Sequence, residues 1–317
     1  MDLRLGLITA NAKADWHARR LARGLAAFGA VETLDPSQLR LICGRANKRD
    51  VLMVLAGVHD ARRFDAIVLG RIAGPLADAE VQLDAARALE LVGVPCLNRV
   101  GPMLAAQDKL WTAAVLAQAG LPTPLCSSVP VANDAVTASA EIGEGVAKPL
   151  FGSLGDGLFR CGGLKQRSTL SRAVRQEPYL LQRFIPPGGI DYRLFVVGDR
   201  VEACIRRESA PGEWRSNVAR GGRAVAAVAP RLWRDLAIDA ARVLGLEIAG
   251  VDLAVGPDGP TVLEVNGVPN FRGIYDATSR DMAPLIAARA ARVARAARRR
   301  GSEHRARAEG GTRFARV

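Results

Sequence analysis

The chain reads as an α/β protein whose C-terminal part turns to α+β, and two observations carry that reading. Across the first hundred residues, strand-like and helical patterns alternate. LRLGLITA at 3–10, FDAIVLGRI at 64–72 and VPCLN at 94–98 are apolar runs, separated by helical periods at 16–28 and 77–91. Such alternation builds a helix-covered, largely parallel sheet. Further along, apolar runs instead flank tight turns, which is the pattern of antiparallel hairpins. DYRLFVVGDRVEACIRR turns at Gly198 and Asp199, and AGVDLAVGPDGPTVLEVNG turns at Pro257, Asp258 and Gly259.

The remaining elements follow in order. Pro102 opens a helix over 102–119 that Gly120 and LPTP terminate, with Lys109 inside it. A strand, VAKPL, brings Lys148 to the start of a glycine-rich loop, GSLGDG at 152–157, and LLQRFI at 180–185 reads as the next strand. A helical period covers 229–244. The last segment begins as a helix, with Leu285, Ile286 and Val293 able to dock and Arg289, Arg292 and Arg295 in a stripe; after Gly301 its composition predicts disorder.

Bulk composition narrows the classes. With 49% hydrophobic and 24% charged residues, the 317-residue chain is ordinary for a globular protein. No run approaches the ~18 apolar residues of a membrane helix, and the N-terminal MDLRLGLITA lacks the pattern of a signal peptide, so a cytoplasmic protein is expected. Five dispersed cysteines without a CxxC pair suit reduced thiols, and three scattered histidines suggest no metal cluster. The net charge of +12 is concentrated at 284–317, where ten arginines face two glutamates. Phe314 is the one residue of the aromatic set Phe, Trp and Tyr among them, so a solvated face is favoured over a nucleic-acid surface. The dinucleotide fingerprint is missing after the first strand.

Chemistry gathers in three places. Asp252, Glu264 and Asn266 stand among core-like residues of the last hairpin. With a three-residue loop, Asp252 falls opposite Glu264 and Asn266 lies diagonal to it. Opposed carboxylates need a cation, and an oxygen-only set suits Mg²⁺ or Mn²⁺; neutralisation by an arginine or exposure at a sheet edge is the alternative. Lys109, Lys148 and the loop carrying Gly152, Ser153, Gly155 and Gly157 suit phosphate groups. Arg193, Arg206, Arg207, Asn217 and Arg220 supply forks for carboxylate and phosphate oxygens. Adjacent on one strand, Arg206 and Arg207 face opposite ways, so only one enters a common cleft.

Taken in order, QDK at 107–109, VAKPLFGSLGDG, LLQRFI, DYRLFVVGDRVEACIRR, EWRSNVARGG and GVDLAV…LEVNGVPNFRG resemble the ATP-grasp enzymes, and most closely the RimK-type α-L-glutamate ligases, over residues 102–281. The resemblance implies an N-terminal α/β domain at 1–101, central and C-terminal α+β subdomains at 102–185 and 186–283 with the nucleotide between them, and a basic tail at 284–317. Lys109, Lys148 and the loop from Gly152 to Gly157 match ATP-phosphate contacts. Gln182, Arg183, Phe184 and Ile185 match the adenine hinge, with Asp191 near the ribose. Arg183 departs from the family, where many members carry an acid.

Asp252, Glu264 and Asn266 match magnesium ligands, two ions being expected. The arginines and Asn217 match groups around the γ-phosphate and the acceptor carboxylate. The implied reaction joins an acceptor carboxylate to an amine, L-glutamate, through an acylphosphate. The expected acceptor is a small pterin-type C1-carrier coenzyme; a protein C-terminus, or a kinase-like protein without ligase activity, are the competing readings. Relatives assemble as homodimers or homotetramers.

Overall fold

In the computed structural model, residues 2–72, 76–150, 157–214 and 221–313 are described. They fall into two compact units, Met1–Gly101 with Asp281–Val317, and Pro102–Arg280.

The first unit contains β1 (Leu3–Ile8), α1 (Trp16–Ala26), β2 (Gly29–Leu34), β3 (Leu39–Ala46), β4 (Arg49–Ala56), β5 (His59–Asp60), β6 (Ala66–Leu69), α2 (Leu76–Leu91) and β7 (Cys96–Leu97). Its main sheet, in the order β2-β1-β6-β7, is parallel throughout, as the alternating pattern predicts. Asp15 starts α1 by accepting a hydrogen bond from the Ala18 N–H at 2.8 Å, and the helix buries Ala18, Leu21 and Leu25. The hairpin β3–β4, with β5 beside it, forms a separate antiparallel sheet that alternation in the sequence does not announce.

The second unit begins within α3 (Val100–Ala105) and continues with α4 (Lys109–Gln118), β8 (Cys126–Val129), α5 (Asp134–Ile142), β9 (Gly145–Pro149), β10 (Phe159–Cys161), α6 (Leu164–Ala173) and β11 (Tyr179–Arg183). The single helix expected at 102–119 is therefore two. Asp108 interrupts it, its carboxylate accepting from the N–H groups of Leu110 and Trp111, which makes Lys109 the first residue of α4. The antiparallel sheet β10-β9-β11-β8 buries Ala147, Leu181, Val129 and Cys161 against α5 and α6.

A second antiparallel sheet, β14-β13-β12-β15-β16, comprises β12 (Ile190–Val197), β13 (Arg200–Glu208), β14 (Arg223–Ala226), β15 (Ile248–Gly256) and β16 (Gly259–Asn266), with α7 (Arg231–Val243) packed on it. Leu194, Cys204, Val251, Leu253 and Val265 join the core beneath α7. The residues between them point to the opposite face, and that alternation delivers the polar side chains to one surface. The unit closes with α8 (Arg272–Thr278).

The last helix, α9 (Ala283–Arg313), returns to the first unit. Ala287, Ala290, Ala291 and Ala294 are buried on it, and α1 packs beside it. Gly24 permits that approach: a Cβ there would lie 3.0 Å from the Ala283 carbonyl oxygen. Arg20 bonds Asp281 at 2.7 Å and Arg298 pairs with Asp65. Where disorder is expected after Gly301, the helix runs on to Arg313, with Gly301, Gly310 and Gly311 inside it; the Ala- and Arg-rich sequence around Gly301 carries high helix propensity.

Candidate active site

Strand register sets the site. β12, β15 and β16 place Arg193, Asp252 and Glu264 side by side in one row, and Gly250 opposite Asn266 in the next. Between β12 and β13, Asp191 opposes Arg207 on the same face. The Asp252–Glu264 pairing is the one expected, but it arises differently. The turn is tighter, closing between Gly256 and Gly259, and a bulge between Asp252 and Leu253 restores the register, leaving Leu263 as the extra residue.

Asp252 is 4% exposed and its charge is met by arginines. Arg193 donates twice, Nε to Oδ1 and Nη2 to Oδ2, both at 2.7 Å, and Arg207 Nη2 approaches Oδ2 at 2.8 Å. Burial alone would push this carboxyl up; Arg193 and Arg207 outweigh it and hold it at about 2. For Asp252, then, the arginine alternative accounts for the buried charge, which corrects the expectation that a cation alone compensates both acids. Arg207, itself buried, is shared with Asp191. Burial pulls its guanidinium down, and Asp252 and Asp191 more than restore it.

Glu264 differs from Asp252. It is half-buried and has no hydrogen bond or ion pair with the described residues. Asn266 donates to the Gly250 carbonyl at 3.4 Å, which leaves its amide oxygen as an acceptor. An unbonded carboxylate beside an amide oxygen, with no nitrogen or sulfur donor among them, fits a hard divalent cation. Asp252 adds to that set only through the lone pairs its arginines leave.

The lysines belong to the same neighbourhood. Lys148 lies on β9 opposite Leu180, on the face away from α5 and α6, with Gln182 and Cys126 on that face too. Burial lowers the Lys148 ammonium below its ordinary value. Glu264 opposes that most, followed by Cys126; Lys109 adds to the lowering, and Asp252 opposes it weakly. These five groups therefore share one electrostatic environment. Lys109 Nζ also donates to the Leu150 carbonyl at 3.3 Å, just before the glycine-rich loop.

The segment expected as the adenine hinge packs against the end of β15: a Cβ on Gly256 would lie 2.7 Å from Ile185. Gln182 is buried and donates to the Cys126 sulfur at 3.6 Å, while Arg183 is exposed, with Nε 3.4 Å from the Ile142 carbonyl. The N–H groups of Arg183 and Phe184 donate to Leu125 and Glu144 carbonyls, which fixes the strand edge. Arg160 stacks on Phe184, its guanidinium 3.5 Å from the ring centre, a contact with no motif to signal it beforehand.

Other expected residues are placed less directly. Arg206 points to the opposite face, opposite Tyr192, and pairs with Glu208, so Arg207 is the one that shares a face with Asp191 and Asp252. Asp191 serves Arg207. Gly157 has φ +70°, and Gly152, Ser153, Gly155, Asn217 and Arg220 lie outside the described residues.

The RimK-like ATP-grasp domain family matches residues 106–289. "Probable alpha-L-glutamate ligase 2" of Hahella chejuensis (strain KCTC 2396) is 35% identical over 240 residues, 73% of this chain and 77% of that protein. "Probable alpha-L-glutamate ligase 1" of the same organism is 38% identical over 206 residues, 63% of this chain and 68% of the relative. Among solved structures, the ATP-grasp ligase PsnB complexed with minimal precursor, Mg and ADP has a TM-score of 0.71 at 20% identity, covering 92% of this chain and 97% of that one. The RimK domain protein ATP-grasp from Sphaerobacter thermophilus DSM 20745 has a TM-score of 0.66 at 21% identity, covering 90% and 99%. These two share the fold. The chain belongs to the RimK-like ATP-grasp family of ATP-dependent carbon–nitrogen ligases.

Proposed function

We propose that this protein joins the α-amine of L-glutamate to an acceptor carboxylate, with ATP as the activating substrate. One observation carries the reading furthest: Lys148 on β9 is within electrostatic reach of both Glu264 on β16 and Lys109 on α4, inside one compact unit. Lysines suited to phosphate oxygens, near a carboxylate without a bond to a described residue, support this reading. The names of the relatives supply glutamate as the amine.

In the proposed sequence, an acceptor carboxylate oxygen attacks the γ-phosphorus of ATP and the bond to ADP breaks. The amine then attacks the acylphosphate carbonyl, phosphate leaves with the C–O bonding pair, and the amine proton passes to solvent or phosphate. Lys109 and Lys148 neutralise phosphate oxygens, and the guanidiniums of Arg193 and Arg207, fixed by Asp252 and Asp191, present donors to the transferring group and the acceptor. Glu264 and Asn266, with the remaining lone pairs of Asp252, would hold Mg²⁺. When bound, Mg²⁺ offsets the charge on the nucleotide phosphates. Asn217, Arg220 and the loop from Gly152 to Gly157 complete the site in this reading, with adenine along Gln182 to Ile185.

We place the subdomain boundary at 185–186, the acceptor on a pterin-type coenzyme and the protein in the cytoplasm. No helix among the described residues is long and apolar enough to cross a membrane. The test is ADP release with L-glutamate across candidate carboxylates, both pterin-type coenzymes and peptide C-termini, with product mass read by mass spectrometry. A product heavier by one glutamyl residue is expected. A phosphorylated acceptor, or ADP release independent of any amine, would overturn the reading.

A further inference from the structure

Phe184 is held at three points that nothing in the proposed reaction uses. Its N–H donates to the Glu144 carbonyl at 2.9 Å. The Glu144 carboxylate pairs with Arg160, and the Arg160 guanidinium lies 3.5 Å from the centre of the Phe184 ring. One glutamate thus fixes both the backbone of Phe184 and the cation on its ring. The far edge of the ring rests on Gly188, whose φ is +75° and where a Cβ would overlap it.

Strand register brings Arg160 to the same surface as Lys148. Arg160, Val146, Gln182 and Cys126 form one row across β10, β9, β11 and β8, on the face away from α5 and α6. Lys148 stands on that face two residues along β9 from Val146. The Arg160 side chain is 31% exposed against 65% for Glu144, and its Nε is buried without a hydrogen-bond partner among the described residues. An ion pair as open as this one contributes little. A guanidinium stacked on a ring and partly withdrawn from water contributes more. The stack, rather than the ion pair, therefore holds the ring.

We infer that Arg160 is a positioning residue for the base of the nucleotide: through Phe184 it fixes the segment 182–185, along which adenine lies in the proposed function. The inference rests on that reading of the segment. Backbone N–H and C=O groups can select one base over another only while their strand is held in place. β11 ends at Arg183, and beyond it the bond from Phe184 to Glu144 and the stack with Arg160 carry the segment on. Lys148 is fixed separately, by the pairing of β9 with β11, so contacts to phosphate do not depend on the stack.

The test is calorimetric titration of the full chain with ADP and with GDP, each in the presence of Mg²⁺. The parent should prefer ADP. Arg160→Met keeps the stem and loses the cation, and Arg160→Lys keeps the charge beside Glu144 and loses the planar face. Both should bind ADP roughly fivefold more weakly with GDP affinity little changed, so that the preference narrows. Glu144→Gln, at an exposed position, removes the ion pair and leaves the stack, and should keep the parent's preference. An unchanged preference in the Arg160 variants, equal losses for the two nucleotides, or a Glu144→Gln variant that behaves like them would each overturn the inference. A parent that binds ADP and GDP alike would instead overturn the placement of adenine at 182–185, and this inference with it.

Discussion

Asp252 and Glu264 are neighbours on paired strands with opposite partners, so replacing each by its amide should have opposite consequences. Asp252→Asn removes the charge that compensates Arg193 and Arg207, the latter with a side chain only 8% exposed. It also sets an amide N–H₂ against guanidinium donors. Leaving a buried charge without its partner costs about 3–5 kcal/mol. For a unit of this size that lowers the melting temperature by roughly 10 °C. Glu264→Gln breaks no bond to a described residue, so its cost should stay within about 0.5 kcal/mol. It should nonetheless abolish the Mg²⁺ dependence of nucleotide binding. Paired thermal melts and calorimetric titrations of ADP with and without Mg²⁺ separate the two effects. Acid adds a check: with its folded value near 2 against an ordinary 3.8, the Asp252 carboxylate contributes about 2 kcal/mol that is present above pH 3.8 and lost as pH falls through 2. The acid midpoint of Asp252→Asn should show less of that loss. If Asp252→Asn melts like the parent, or if the two variants cannot be told apart, the division between an arginine anchor and a metal ligand is wrong.

Two further outcomes follow from the same geometry. Because burial lowers Lys148 and Glu264 opposes that, ATP should bind less tightly as pH rises through the lysine's titration, and Glu264→Gln should move that alkaline limb to lower pH; coincident limbs in the pH profiles of Mg²⁺-free ATP binding would refute the coupling. Gly250→Ala puts a Cβ 2.9 Å from Pro269 and 3.8 Å from both Arg193 Nε and Asn266 Cβ, so it should cost about 1–3 kcal/mol and weaken Mg²⁺-dependent ADP binding, measured by melting and calorimetry.

How much was legible in the sequence depended on burial. The parallel sheet of the first unit could be read because β1 and β6 are buried and apolar. The last hairpin could be read for its chemistry but not its geometry. In TVLEVN, strict alternation would set Val262 and Glu264 on one face, yet Val262 belongs to the core under α7 and Glu264 does not. Val262 and Val265, three apart and both in that core, were the available sign of a bulge. Two departures, a tighter turn and an extra residue, cancel to give the pairing that a simpler register also predicts.

The β3–β4 hairpin failed to register for the opposite reason. Alternation appears in a sequence only when one face of a strand is buried against the protein's own core. Here seven of the eight β3 residues are exposed, so no face was selected and no period was written. The turn carried no conventional signal either, since Asn47 and Lys48 both take positive φ, 51° and 60°, where glycine is usual. A strand with apolar side chains but no alternation is one whose burial is not specified by its own chain. The silence of the sequence over residues 39–46 is what a strand without a buried face should produce.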